Sequence, residues 1–135
     1  MDRYPTLKIV NHHGGGMIPF FLGRINETYL DRIDETHVAE NKRKPTDLVM
    51  AKPLSDYFSR FYVDTAIGGS IPAIRCAYEV FGADRLLFAT DAPNGPDKGE
   101  GRLADYPNVL RSAGLSDTAN EKIFAGNARK LFKLD

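Results

Sequence analysis

Residues 85–91, Arg85-Leu86-Leu87-Phe88-Ala89-Thr90-Asp91, decide the fold class. The stretch from Leu86 to Ala89 is apolar without alternation, the pattern of a strand buried on both faces, and such strands belong to parallel sheets with helices packed over them. Just upstream, Ser70 is placed to cap a helix, Pro72 falls in its first turn, and Ile71, Ile74, Tyr78 and Phe81 share one face before Gly82 closes it. A helix that feeds a buried strand is half of a βαβ unit. Phe61-Tyr62-Val63-Asp64-Thr65, aromatic and β-branched, supplies the strand before it. Further back, Leu7 to Val10 predicts a first strand that leaves the core into His12-His13-Gly14-Gly15-Gly16, and an amphipathic helix follows from about Ile18 to Ile33 with Pro19 in its first turn. Helices alternating with strands predict an α/β fold of about three parallel strands with flanking helices, one domain over residues 1–135.

The rest of the chain carries weaker local signals. Asp34 to Pro53 is charged, includes His37 and keeps no period, so it reads as an excursion or lid. Leu54 to Arg60 has room for two helical turns, and Leu103 to Leu110 predicts a short helix. Asp117 or Thr118, with Glu121, offers a cap for another helix, and Asn127 is placed to cap a last turn through Phe132.

Composition narrows the function. The 135 residues carry 18 basic and 18 acidic side chains, interspersed, so no basic face implies nucleic acid and no acidic tail implies a cationic partner. The single cysteine, Cys76, cannot form an internal disulfide, and no segment approaches the ~20 apolar residues of a membrane span. A cytoplasmic protein that handles a small molecule is the expectation.

Two residues stand where such chemistry gathers, at the carboxyl ends of parallel strands. His13 leaves the first strand into three glycines, which permit close approach of a ligand, and fits a proton-transfer group or metal ligand as well as a plain turn histidine. Asp91 ends the apolar third strand and needs a partner there, met by a metal or an active-site histidine, or by capping the following loop. Asp64 ends the second strand in the same way, with a structural cap as the favoured reading.

The order LKIVNHHGGGMIPFFLGRI, FYVDTA, FGADRLLFATDAPNGP, IFAGNARKLF resembles the last third to half of the amidohydrolase-related decarboxylases, a family that includes the aminocarboxymuconate-semialdehyde and resorcylate-type enzymes. The resemblance implies the C-terminal portion of a (β/α)8 TIM barrel with a divalent metal, commonly zinc, at the mouth of the strands. It implies that Asp91 ligates metal or its water, that His13 acts beside the metal in proton transfer or in orienting that water, and that Arg24 in Gly23-Arg24-Ile25 binds a substrate carboxylate and reaches a neighbouring subunit's site. The substrate expected is a small carboxylated aromatic or unsaturated molecule, and the reaction decarboxylation or hydrolysis.

This sequence also departs from the family pattern. The family needs a His-x-His pair from its first strand and a further histidine from its fifth, and nothing upstream of Tyr4 supplies them. His12 adjoins His13, but neighbouring side chains on extended backbone point to opposite faces. A catalytic zinc usually takes three protein ligands, and Asp91 with His13 gives at most two. A barrel takes ~250 residues and eight strands, so an open sheet of three is expected to associate with itself or with an N-terminal half-barrel, burying residues such as Ile9, Val63 and Phe88. The rival expectation is a catalytically incomplete half-barrel that serves as an oligomerising or binding module.

Overall fold

Strands β1 (Val10–Asn11), β2 (Tyr62–Asp64) and β3 (Leu86–Leu87) lie side by side in chain order, all parallel, in the computed structural model. It describes residues 1, 3–33, 52 and 54–135, so the predicted excursion Asp34–Pro53, with His37, falls outside the described residues apart from Lys52. Val10 pairs with Tyr62 and Asn11 with Val63; Val63 then pairs with Leu86 and Asp64 with Leu87.

The ladders are shorter than the composition predicts, for local reasons. The first strand was expected over Leu7–Val10, but Leu7 is exposed, and the chain joins β2 only where the Ile9 carbonyl accepts the Tyr62 N–H. The third was expected to run from Arg85 to Thr90. Beyond Leu87, a side chain replaces the ladder: Ala89 N–H donates to Thr65 Oγ1 at 3.0 Å, and the Thr65 hydroxyl donates to the Ala89 carbonyl at 3.0 Å. Phe88 N–H turns away to the carbonyl of Ile123. These bonds satisfy buried backbone groups without further strand pairing.

Helix α1 (Ile18–Ile33) follows β1, and α2 (Leu54–Phe58) leads into β2. Helix α3 (Ile71–Phe81) links β2 to β3 and has the predicted boundaries: Ser70 Oγ accepts Ala73 N–H, and Gly82, at φ 75°, returns its N–H to the Tyr78 carbonyl. Its buried Ile74, Ala77 and Phe81 meet Val63, Leu86, Leu110, Ala113 and Ile123 in one core. Each Val, Leu, Ile or Phe side chain among these contributes roughly 1.5–3 kcal/mol by leaving water. Val63, expected to face a barrel interior and await a partner, is instead fully buried on this helix side, so it is not available to a contact.

The C-terminal third corrects three further expectations. Helix α4 (Glu100–Ser112) is longer than the predicted Leu103–Leu110. Helix α5 (Asp117–Glu121) is capped by Ser116, whose side chain accepts Ala119 N–H, rather than by Asp117 or Thr118. A π-helical turn, Lys122–Gly126, joins it to α6 (Asn127–Phe132). Asn127 therefore caps nothing. Its buried amide donates to the carbonyls of Ala83 and Leu86, both at 2.7 Å, and ties this helix to the start of β3. Among the described residues no helix is long and apolar enough to cross a membrane.

Candidate active site

The carboxyl ends of the three strands open on one pocket of about 550 Å³, lined by His12, His13, Asp64, Ala66, Ala89, Thr90, Asp91, Ala92 and Asn94. His13 and Asp91, singled out separately in the sequence, thus face one cavity. So do His12 and Asp64, to which the sequence reading gave little weight.

The turn after β1 explains how two neighbouring histidines share a pocket. Asn11 is extended (φ −102°, ψ 122°), but His13 is left-handed (φ 55°, ψ 50°), so the alternation that holds on extended backbone does not apply. Gly14 and Gly15 follow at φ 65° and 84°. A Cβ at Gly14 would lie 2.5 Å from Ile67 Cδ1, and one at Gly15 would lie 2.9 Å from the Phe81 ring, so only glycine lets the turn pack down on β2 and α3.

Asp64 organises this turn. Its side chain is 5% exposed, and Oδ1 accepts the backbone N–H of His13 at 2.8 Å and of Ala66 at 3.1 Å. Its Oδ2 lies 2.7 Å from Nδ1 of His12. The structural cap expected at this position is present, and it also holds an imidazole. On the other histidine, Nδ1 of His13 lies 2.8 Å from the Ala66 carbonyl. A carbonyl only accepts, so Nδ1 carries the proton and Nε2 of neutral His13 keeps its lone pair.

Asp91 stands at φ 68° on the far rim. It was expected to find a metal or a histidine; its protein partners are Arg102, whose Nη1 donates to Oδ2 at 3.3 Å, and Asn94, whose Nδ2 donates to Oδ1 at 3.2 Å. Both bonds are long, and the Asp91 and Arg102 side chains are each 30% exposed, so the carboxylate keeps acceptor capacity toward the pocket. Left-handed backbone at a residue other than glycine is uncommon. His13 and Asp91 share it with Asp97, Lys98 and Lys133, which do not line this pocket, and His and Asp are among the residues that adopt it most readily.

Arg24 lies elsewhere. It is exposed on α1 and does not line the pocket. Nor could the sequence have revealed Arg102, which sits in α4 eleven positions beyond its partner.

An imidazole Nε2 and a carboxylate suit a divalent cation by donor chemistry. Among the described residues, however, no group of three or more His, Cys, Asp or Glu could hold a metal ion. The pocket therefore fits such an ion as part of a coordination shell.

Comparison with known proteins agrees with the fold. The family profile described as Amidohydrolase matches residues 1–134. Gamma-resorcylate decarboxylase of Polaromonas sp. (strain JS666) is 33% identical over 135 residues, covering 99% of this chain and 36% of that protein. Among solved structures, 5-carboxyvanillate decarboxylase from Sphingomonas paucimobilis superimposes with a TM-score of 0.77 at 27% identity, over 99% of this chain and 36% of its own. Dihydroxybenzoic acid decarboxylase from Polaromonas sp. JS666, with bound manganese and the inhibitor 2-nitroresorcinol, gives a TM-score of 0.72 at 31% identity, over 98% of this chain and 36% of its own. These relatives are decarboxylases of aromatic carboxylates, and the chain spans 36% of their length. The chain belongs to the amidohydrolase family.

Proposed function

We propose that this chain forms the C-terminal portion of a (β/α)8 barrel and carries part of the active site of a metal-dependent decarboxylase of aromatic carboxylates. The observation that carries the reading is the meeting of His13 and Asp91 in one pocket at the carboxyl ends of parallel strands. Decarboxylation is preferred to hydrolysis because the similar proteins named above are decarboxylases. Manganese in the solved dihydroxybenzoic acid decarboxylase of Polaromonas supports a divalent cation and makes manganese, rather than the zinc expected from the sequence, the first ion to test.

In this reading Asp91 holds the ion together with ligands from outside the 135 residues, and Arg102 and Asn94 orient its carboxylate. The ion, when bound, supplies a positive charge that fixes substrate oxygens and stabilises negative charge on the ring. His13, oriented through Nδ1–H by the Ala66 carbonyl, takes up a second proton from solvent on its Nε2 lone pair. That proton passes to the ring carbon bearing the carboxylate; the bond to the carboxylate breaks, its electron pair returns to the ring, and CO2 leaves. Arg24 serves a neighbouring subunit's substrate carboxylate, a role supported by Phe20, one turn before it on α1 and 79% exposed, as on a helix that meets another chain. The open edges of β1 and β3 are covered by an N-terminal half-barrel or a second copy.

The test is turnover of 2,6-dihydroxybenzoate with Mn²⁺, by this chain alone and joined to the N-terminal part of the Polaromonas resorcylate enzyme. The joined protein is expected to release CO2, and His13→Ala to slow it roughly 10²–10⁴-fold. A folded, manganese-loaded joined protein without turnover would refute the reading. A second reading, an oligomerising module without catalysis, is favoured for the chain by itself by the lack of a three-ligand cluster among the described residues.

A further inference from the structure

We infer that His12 is a second ligand-facing imidazole of this pocket, whose Nε2 accepts a hydrogen bond from a hydroxyl group of the bound aromatic carboxylate. The inference deepens the reading above and rests on its substrate class.

The His12 side chain is 76% exposed, yet its Nδ1 is held 2.7 Å from a carboxylate whose side chain is only 5% exposed. The direction of the bond follows from the rest of the carboxylate's contacts. Asp64 Oδ1 accepts two backbone N–H groups, and an ionised carboxylate has acceptor capacity only. Nδ1 of His12 is therefore the donor to Oδ2, and in the neutral ring Nε2 bears the lone pair. With Nδ1 tied to the buried carboxylate, Nε2 on the far side of the ring has no hydrogen-bond partner among the described residues, and His12 lines the open pocket.

The other groups of the pocket decide what Nε2 would meet. His13 is fixed in the same tautomer by the Ala66 carbonyl and offers a second acceptor nitrogen. Asp91 is a third acceptor, and the neighbouring donors, Arg102 and Asn94, are already directed at it. Thr90 Oγ1 accepts from Ala92 N–H. The lining is thus rich in acceptors, and a ligand that complements it must bring donors. An aromatic carboxylate brings one as a ring hydroxyl. With His13 assigned to the reacting carbon, His12 is the acceptor left for that hydroxyl, and Asp64 is its positioning residue.

Two measurements test this, the first on the full chain. Long-range ¹H–¹⁵N spectra of the neutral imidazoles are expected to place the His12 proton on Nδ1 with Nε2 unprotonated, and Asp64→Asn is expected to relax that ring to a mixture of tautomers. A wild-type His12 protonated at Nε2 would overturn the inference without touching the decarboxylase reading. In the presence of Mn²⁺, the chain joined to the N-terminal part of the Polaromonas resorcylate enzyme, which brings the remaining metal ligands, is expected to bind 2-hydroxybenzoate about fivefold to tenfold more tightly than benzoate, the span of one net hydrogen bond, and His12→Phe to bring the ratio near one. An undiminished ratio in His12→Phe overturns the assignment and leaves the carboxylate site standing. Failure of wild type to bind either ligand overturns both. The tautomer measurement needs no variant, so the inference stays open to refutation even if a substitution disturbs folding.

Discussion

Replacing Asp64 by alanine tests how the fold and the candidate site depend on each other, because one buried carboxylate serves both. The change orphans the buried backbone N–H of Ala66, at a cost of about 1–3 kcal/mol, and the part-buried N–H of His13, at a smaller cost. The bond to His12 adds little, since water can replace it on a ring that is 76% exposed. Against these losses, deleting a carboxylate that is 5% exposed relieves its desolvation. The balance is a loss of about 2–4 kcal/mol. Asparagine keeps an oxygen for both N–H groups and gives up only their charge assistance, so Asp64→Asn should cost about 1 kcal/mol. Urea denaturation of the full chain, with m unchanged, reads both values. If alanine costs less than about 1 kcal/mol, or asparagine as much as alanine, Asp64 does not hold the His12–Gly15 turn as argued.

Three other outcomes follow from the same structure. Gly15→Ala should destabilise the chain by about 2–4 kcal/mol, since it forces alanine to a left-handed φ of 84° and sets a Cβ 2.9 Å from the Phe81 ring; equal thermal stability of the variant and wild type would contradict the packing described. Asn127→Leu should cost about 2–4 kcal/mol because the carbonyls of Ala83 and Leu86 lose a shared donor, and hydrogen exchange should rise at Leu86 and Leu87 before it rises in α3. Lys122 Nζ, 2.9 Å from Asp84 Oδ1, holds that carboxyl below the usual aspartate range, so this pair supports folding above the range and its contribution vanishes as pH falls through the lowered folded value. A ¹³C titration of Asp84 should show a midpoint that moves upward in Lys122→Gln; no movement would mean the ion pair is absent in solution.

Much of the fold was legible because its signals are local. Ser70, Pro72 and Gly82 mark the ends of α3 by capping chemistry that depends on a few neighbouring residues, and the apolar run after Arg85 marks a strand by composition alone. Strand length was less legible, because it depends on partners far away. Thr65 ends the ladder at Leu87 by offering a hydroxyl where a backbone amide would have continued it, a choice that the sequence of either strand does not encode. Asn127 has the local marks of a cap, but its amide meets two carbonyls more than forty positions earlier, and this long-range pairing fixes its role.

The site divides along the same line. That His13 and Asp91 stand at strand ends follows from local composition, and in a parallel sheet strand ends gather at one rim, so their meeting could be anticipated. What could not be anticipated is conformation. Alternation of side chains on extended backbone separates His12 from His13, but it does not hold here because His13 is left-handed, held there by two glycines that must pack on Ile67 and Phe81 and by a carboxylate 51 positions away. Asp64 looked like a cap because it is one, and the same three-way acceptance that caps the loop also orients an imidazole. A residue type at a strand end thus tells which group is available, whereas the long-range bonds to its backbone decide which cavity it faces and which of its atoms is left to act.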